Sequence, residues 1–325
     1  MCSISKDQCT LAIIGNGFDL AHGFSTTYEA FSENVSAPSL EFFKSCCDDE
    51  SDIASWYSFE ENIKKLTSTL FLQSYQEGCD YDANREKASR LQEAFKDIHN
   101  LLIKYLKNET EGKPITPLQS VSGYLGPNTK AINFNYTKTA EAYTNDVIYV
   151  HGSLDEDDIL LGYDYREEAG LAQYEDMCWS KAICRQSLAF RRYLKEEMGL
   201  ETGSPKYKEL TSSLELYQQE ENSGRGFSSN AKAYIPNFRF IDDFMRKYRN
   251  SCDIPGIDYK NITTIVVLGH GIEADQVYLN RILSKCNKLQ KVVIYRYCGE
   301  PDSEFTKKVE FFQPHCKEVC SIFYN

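Results

Sequence analysis

What the chain lacks narrows its class before any motif is read. No apolar run approaches the roughly 20 residues that a membrane-spanning helix needs, and mean hydropathy is −0.49. The opening residues Met1 to Asp7 have neither the basic start nor the apolar stretch of a secretory signal, so a cytoplasmic protein without membrane contact is expected. Lys and Arg are scattered rather than gathered into a basic arm or patch, and the net charge is −12. Such a balance disfavours a broad phosphate-binding surface, so nucleic acid is not an expected partner. Among 12 cysteines no Cys-x-x-Cys knuckle occurs; Cys46 and Cys47 are adjacent, and Cys316 and Cys320 stand four apart. Neither a bound metal nor a disulfide scaffold is expected; the thiols read as reduced and structural. Internal repeats and low-complexity segments are absent too.

What is present suits a single α/β domain over residues 1–325, large enough at 42% hydrophobic content to bury a sizeable core. Leu11 to Ile14 form a short apolar run suited to a buried strand, and Gly15-Asn16-Gly17 follows at once. Helical spacing resumes from Thr26, with Tyr28, Phe31 and Val35 on one side. Further strands are predicted at 130–135, 147–150, 159–161, 263–268, 291–296 and 319–323. Helices are predicted around Val277 to Leu283 and from 303 to 312. Strand–helix alternation implies parallel pairing and a Rossmann-like sheet. Its core segments fall at about 9–37, 119–165 and 259–325. Two helical insertions, about 38–118 and 166–258, interrupt it. In the first, Phe42, Phe43, Trp56, Phe59, Ile63, Leu66 and Leu70 recur at spacings of three and four, as a packing stripe does. Leu91, Phe95, Ile98, Leu102 and Tyr105 repeat that stripe, with the break expected at Gly78 to Asp82. In the second, helices containing Ala182 to Leu194 and Leu210 to Tyr217 precede an expected loop at Glu220 to Gly226, and another helix spans Phe238 to Tyr248.

Polar turns fall at the carboxyl ends of the core strands: Gly15-Asn-Gly-Phe-Asp19, Asn133-Phe-Asn-Tyr-Thr137, His151-Gly152, and Gly269-His-Gly271 with Asp275. An open α/β sheet gathers such ends along one edge, where ligands bind. Strand, glycine turn and helix make a candidate phosphate cradle, although Leu20 stands where the dinucleotide fingerprint has its third glycine. Each turn also has a plain structural reading. Glycines permit tight turns, Asn and Asp bond turn backbone, and a histidine can be a satisfied packing group.

The set Ile14-Gly-Asn-Gly-Phe-Asp-Leu20 with His22-Gly23, Phe134-Asn-Tyr-Thr137, His151-Gly152, and Gly269-His-Gly271 with Asp275 resembles the AbiH-type phage abortive-infection proteins. That family is remotely similar to sirtuin-like NAD-binding domains. The resemblance implies that Gly15, Asn16 and Gly17 form a phosphate loop and that Asn135 sits near the nicotinamide ribose. His151 takes the place of the general base, and Gly269, His270 and Gly271 that of the late ribose-phosphate turn, with Asp275 beside it. Asp19 caps its helix or touches a ribose hydroxyl; His22 and His270 contact phosphate or pack turns. Two departures matter: Thr137 stands where the sirtuin-like pattern has an acidic residue, and the zinc-binding cysteine pairs of deacylating sirtuins are missing.

The resemblance therefore implies an antiphage protein that binds, and as a glycohydrolase consumes, NAD or a related nucleotide. A non-catalytic nucleotide sensor in a defence complex, or a nuclease-type toxin, are the alternatives. A phage-derived trigger, a defence-complex protein and a second copy of the chain are the candidate macromolecular partners.

Overall fold

The computed structural model describes residues 9–47, 59, 62–63, 65–66, 80–127, 129–156, 158–159, 161, 190–191, 193–195, 197–222, 233–248, 257–297 and 300–324. They divide into two compact units. One lies within Met1–Val35, Asn100–Ile159 and Cys252–Asn325, the other within Ser36–His99 and Leu160–Ser251.

The first unit carries a six-stranded parallel sheet. In chain order its strands are β1 (Cys9–Ile14), β2 (Lys130–Asn133), β3 (Asp146–Tyr149), β6 (Ile262–Leu268), β7 (Lys291–Arg296) and β8 (Glu318–Phe323). The short strands β4 (Gly152–Ser153) and β5 (Asp158–Ile159) pair antiparallel as a separate ribbon. The apolar run at Ile159 is thus not a further strand of the parallel sheet, and Gly162, expected to end it, lies outside the described residues. A two-residue pairing with the chain just left at β4 closes over a short reversal, which a parallel strand cannot do.

Strand order is β3-β2-β1-β6-β7-β8, the doubly wound Rossmann arrangement, which reverses direction between β1 and β6. Register makes that reversal consequential. Ile14 lies opposite Asn133 on one side and Leu268 on the other, and Asn133 lies opposite Tyr149. Four chains therefore leave the sheet side by side, at Gly15, Phe134, Val150 and Gly269.

Alternation along the strands builds two cores. Leu11, Ile13, Ile132, Ile265, Val267, Val292 and Ile294 face one side. There they meet Tyr278, Leu279, Ile282 and Leu283 of α8 (Gln276–Lys285) and Phe312 of α9 (Asp302–Phe312). Ala12, Ile14, Ala131, Val266, Leu268 and Val293 face the other, against Phe18 of α1 (Gly17–Ala21) and Val121 of α5 (Gln119–Ser122). With both faces covered, the central strands read as continuous apolar runs. Each large aliphatic side chain so buried contributes about 1.5–3 kcal/mol.

Helix α2 (Tyr28–Asn34) starts where Thr27 accepts the Ala30 amide at 3.0 Å, two residues after the expected start. In the second unit α3 (Pro38–Ser45) is followed by the start of α4 (Tyr81–Thr110). The expected break at Gly78 to Asp82 ends earlier than predicted, because Asp80 accepts the Ala83 amide at 3.0 Å and caps the helix there. Helices α6 (Pro205–Asn222) and α7 (Phe238–Tyr248) pack Leu210, Leu214, Tyr217, Ile241, Phe244 and Met245 into one cluster with Phe190 and Leu194. Glu220, Glu221 and Asn222 continue α6 rather than opening a loop, since no glycine or proline interrupts the helix before Gly224. Trp56, Leu70 and Ala182 lie outside the described residues. Among those described, no helix is long and apolar enough to cross a membrane.

Candidate functional site

The turns after β1 and β6 lock together backbone to backbone. The Gly15 amide donates to the Leu268 carbonyl and the Gly17 amide to the Gly269 carbonyl, each at 2.9 Å. Gly269 has φ +63°, and a Cβ there would stand 2.2 Å from the Phe18 nitrogen and 2.3 Å from the Gly17 carbonyl carbon. A Cβ on Gly15 would meet the His270 Cα at 2.6 Å, and one on Gly17 the Gly269 Cα at 2.8 Å. All three glycines are required by this crossing. The Phe18 and Asp19 amides bond the Gly15 and Asn16 carbonyls, so four amides of the turn are committed to the loop itself. Any phosphate contact falls to other groups.

His22 is tied off completely. Its Nδ1–H donates to the Phe18 carbonyl, and its Nε2 accepts from the Tyr143 hydroxyl, both at 2.7 Å. That hydroxyl oxygen accepts the Leu118 amide at 2.6 Å. Burial holds the imidazole below its usual pKa of 6.5, which keeps it neutral and suited to this pair of bonds. The arrangement is that of a packing histidine.

Asp19 sits in the third position of the short α1, yet makes no helix cap; α1 has no side-chain cap bond at all. Its carboxyl is buried instead among hydroxyls and amides. Thr137 donates to it at 2.8 Å, and Thr139, Thr26 and Asn135 surround it with further polar groups that favour its ionised form. Loss of water outweighs those bonds and raises its pKa from 3.8 to about 6. Around it the turn after β2 is stitched by its own amides. Asn135 Nδ2 donates to the Gly15 carbonyl at 2.9 Å, and Asn133 Nδ2 to the Thr137 carbonyl at 3.1 Å. Asn133 Oδ1 accepts the Asn135 amide at 2.9 Å, and Asn16 Oδ1 accepts the Thr26 hydroxyl at 2.7 Å.

A second polar group lies at the same sheet edge. His151 follows β3, its position set by the Val150 amide on the Asn133 carbonyl and the Leu154 amide on the Tyr136 carbonyl, each at 3.0 Å. Its Nε2 is 3.4 Å from Asp275 Oδ1, while His270 Nε2 is 3.4 Å from Asp275 Oδ2. All three side chains are buried. The Ile272 amide donates to His270 Nδ1 at 2.9 Å, which places the His270 proton on Nε2, toward the carboxylate. His151 likewise turns its Nε2 toward the Asp275 carboxylate, at 3.4 Å. Phe134 packs edge-on against both imidazoles and Tyr278, with centroids 5.5, 4.4 and 5.7 Å away. Among the described residues no three of His, Cys, Asp and Glu converge as metal ligands do.

The structure thus brings Gly15, Asn16, Gly17, Asp19, Asn135, Thr137, His151, Gly269, His270 and Asp275 to one edge, and gives His22 a packing task. For Gly271 a Cβ would meet open space, so sterics do not demand glycine there. Sequence reasoning missed four participants. Thr26 and Thr139 carry a signal only in being hydroxyls beside singled-out turns. Phe134 sits inside a quoted motif as an apolar residue. Ile272 has φ +66°, a strained conformation for a β-branched residue that nothing in its identity foretells.

The family model described as Bacteriophage abortive infection AbiH matches residues 11–297, which takes in every residue of this site. Neither a curated protein nor a solved structure matches the chain.

Proposed function

The chain belongs to the AbiH family of bacteriophage abortive-infection proteins, and on that premise we propose that it acts by binding and hydrolysing NAD or a related nucleotide. One observation carries the reading. His151, backed by the Asp275 carboxylate, stands at a sheet edge beside the Asn135 turn, next to the point where strand order reverses. That is the position where doubly wound sheets bind nucleotides.

Hydrolysis asks little more of the protein. Water adds to the anomeric carbon of the nicotinamide ribose, the carbon–nitrogen bond breaks, and its electron pair leaves with nicotinamide. The proton released by the water passes to His151 Nδ1, and ADP-ribose is the other product. Asp275 keeps the imidazole in the tautomer that accepts this proton and stabilises the cation formed. Such a general base contributes about 10²- to 10⁴-fold in rate. The 3.4 Å separations, longer than a formed hydrogen bond, favour a second reading, in which the site binds the nucleotide without turning it over.

Incubating the protein with NAD and, separately, with RNA decides among the readings. NAD loss with release of nicotinamide supports hydrolysis, and binding without loss supports a sensor. RNA cleavage with NAD untouched overturns both in favour of a nuclease.

A further inference from the structure

The backbone at Ile272 is strained for a reason that its neighbours supply. Its φ of +66° and ψ of −49° are those of a tight three-residue turn, closed by the Glu273 amide on the Gly271 carbonyl at 2.8 Å. A β-branched residue keeps this shape only where its surroundings enforce it, and the Ile272 side chain is buried in the core with Tyr278 and Leu279. The turn directs both of its backbone polar groups to the site. The Ile272 amide donates to His270 Nδ1 at 2.9 Å, and the Ile272 carbonyl accepts the Asp275 amide at 3.1 Å. Because Nδ1 accepts, the His270 ring presents its N–H through Nε2, which faces Asp275 Oδ2 at 3.4 Å. A ring so engaged keeps no donor for a phosphate. Asp275 in turn stands at the start of α8 without capping it, its carboxylate directed to the two imidazoles instead.

We infer that His270 is a positioning residue for the hydrolysis. The strained turn locks its ring so that Nε2–H holds one oxygen of Asp275, which leaves the other oxygen aimed at His151. This role rests on the reading of His151 as the acting base. The ring performs two tasks at once. Its Nδ1 anchors the turn through the Ile272 amide, and its Nε2 orients the carboxylate. Only the second task reaches His151. Phe134 packs edge-on against both imidazoles, with centroids 4.4 Å from His270 and 5.5 Å from His151, and limits their rotation.

Two substitutions divide the tasks. In His270→Gln the side-chain NH₂ stands where Nε2 was and can still donate to Asp275. In His270→Asn the side-chain oxygen stands where Nδ1 was; it can accept the Ile272 amide but falls short of the carboxylate. With ¹⁵N-labelled histidine and no ligand, the wild-type His270 signals, identified by their loss in either variant, should show Nε2 protonated and Nδ1 bare. The His151 ring signals, identified by their loss in His151→Ala, should shift in His270→Asn and stay near the wild-type position in His270→Gln. With NAD as substrate, His270→Asn should lose kcat at least about tenfold with KM changed less than about twofold, and His270→Gln should restore most of that loss. Three results overturn the role: a protonated Nδ1 in the wild type, His151 signals that respond equally to the two substitutions, or a kcat equal in both. Equal responses are what a histidine that only anchors the turn would give. The wild-type tautomer decides the matter even if neither variant folds. Wild type that releases no nicotinamide sinks the hydrolysis reading, and the His151 signals still decide whether His270 orients the carboxylate.

Discussion

Two parts of the same sheet edge are built to opposite standards. The crossed loops after β1 and β6 are closed: glycine backbones touch, four turn amides find carbonyls at 2.9–3.0 Å, and His22 has a partner on each nitrogen. The His151–Asp275–His270 group, a few residues away in the fold, holds a buried carboxylate between two imidazoles at 3.4 Å. Burying a carboxylate between two imidazoles has a cost that a purely structural edge could avoid by adopting apolar residues. The difference teaches that the glycines and His22 make a rigid floor, and under the proposed function the second group is the part that acts. Histidine as a residue type does not separate the two; what each imidazole faces does, a carbonyl and a hydroxyl for His22 and a buried carboxylate for His151 and His270.

The largest expected effect breaks the floor. Gly269→Ala combines a φ of +63° with backbone contacts at 2.2 and 2.3 Å, and neither loop can retreat without losing its bonds. It should cost at least about 4 kcal/mol or abolish folding, measured by denaturant unfolding. A variant as stable as the wild type would show that the loops do not cross as described.

Asp19 lies on the border between the two parts, and pH reads it. Its pKa is 3.8 in the unfolded chain and about 6 when folded, so the folded protein binds the extra proton between those values. The stability this provides is fully present below pH 3.8 and is lost as pH rises through about 6, a fall of about 3 kcal/mol. Asp19→Asn removes this fall, so the difference in stability between wild type and variant should change with pH over that window. A difference that stays flat from pH 4 to 7 contradicts the burial of this carboxyl.

His22→Ala should have the smallest effect. It deprives the Tyr143 hydroxyl and the Phe18 carbonyl of a partner and should cost about 1–3 kcal/mol, with turnover per folded molecule unchanged. A variant of normal stability but no activity would move His22 out of the floor and into the site.

Much of this edge is legible in the sequence because backbone requirements show directly as residue types. Apolar runs of four to seven residues followed by glycine, asparagine or histidine give the strands and their carboxyl ends, and the register then makes the ends neighbours. The assignment of tasks within the edge is not legible in the same way. Nothing in the spacing says that the side-chain space of Gly15 and Gly17 is taken by Gly269 and His270, 252–255 residues later in the chain. Nor does it say that Asp275 turns to the histidines while Asp19 turns inward to threonines. The short ribbon at Ile159 reads as a sheet strand because apolar content does not reveal pairing direction. The cap at Asp80 is a local signal that the glycine of the neighbouring break obscures.

The central claim is that His151, oriented by Asp275, is the group that acts. It is tested most directly by NAD consumption of wild type, His151→Ala and Asp275→Asn, with thermal unfolding and NAD affinity measured on the same preparations. The account predicts nicotinamide release by the wild type and at least about a 100-fold loss for His151→Ala, with NAD still bound and the fold intact. Asp275→Asn should lose rate as well, because the imidazole no longer has a carboxylate to hold its tautomer. Undiminished turnover by His151→Ala, or a wild type that leaves NAD untouched, would contradict it.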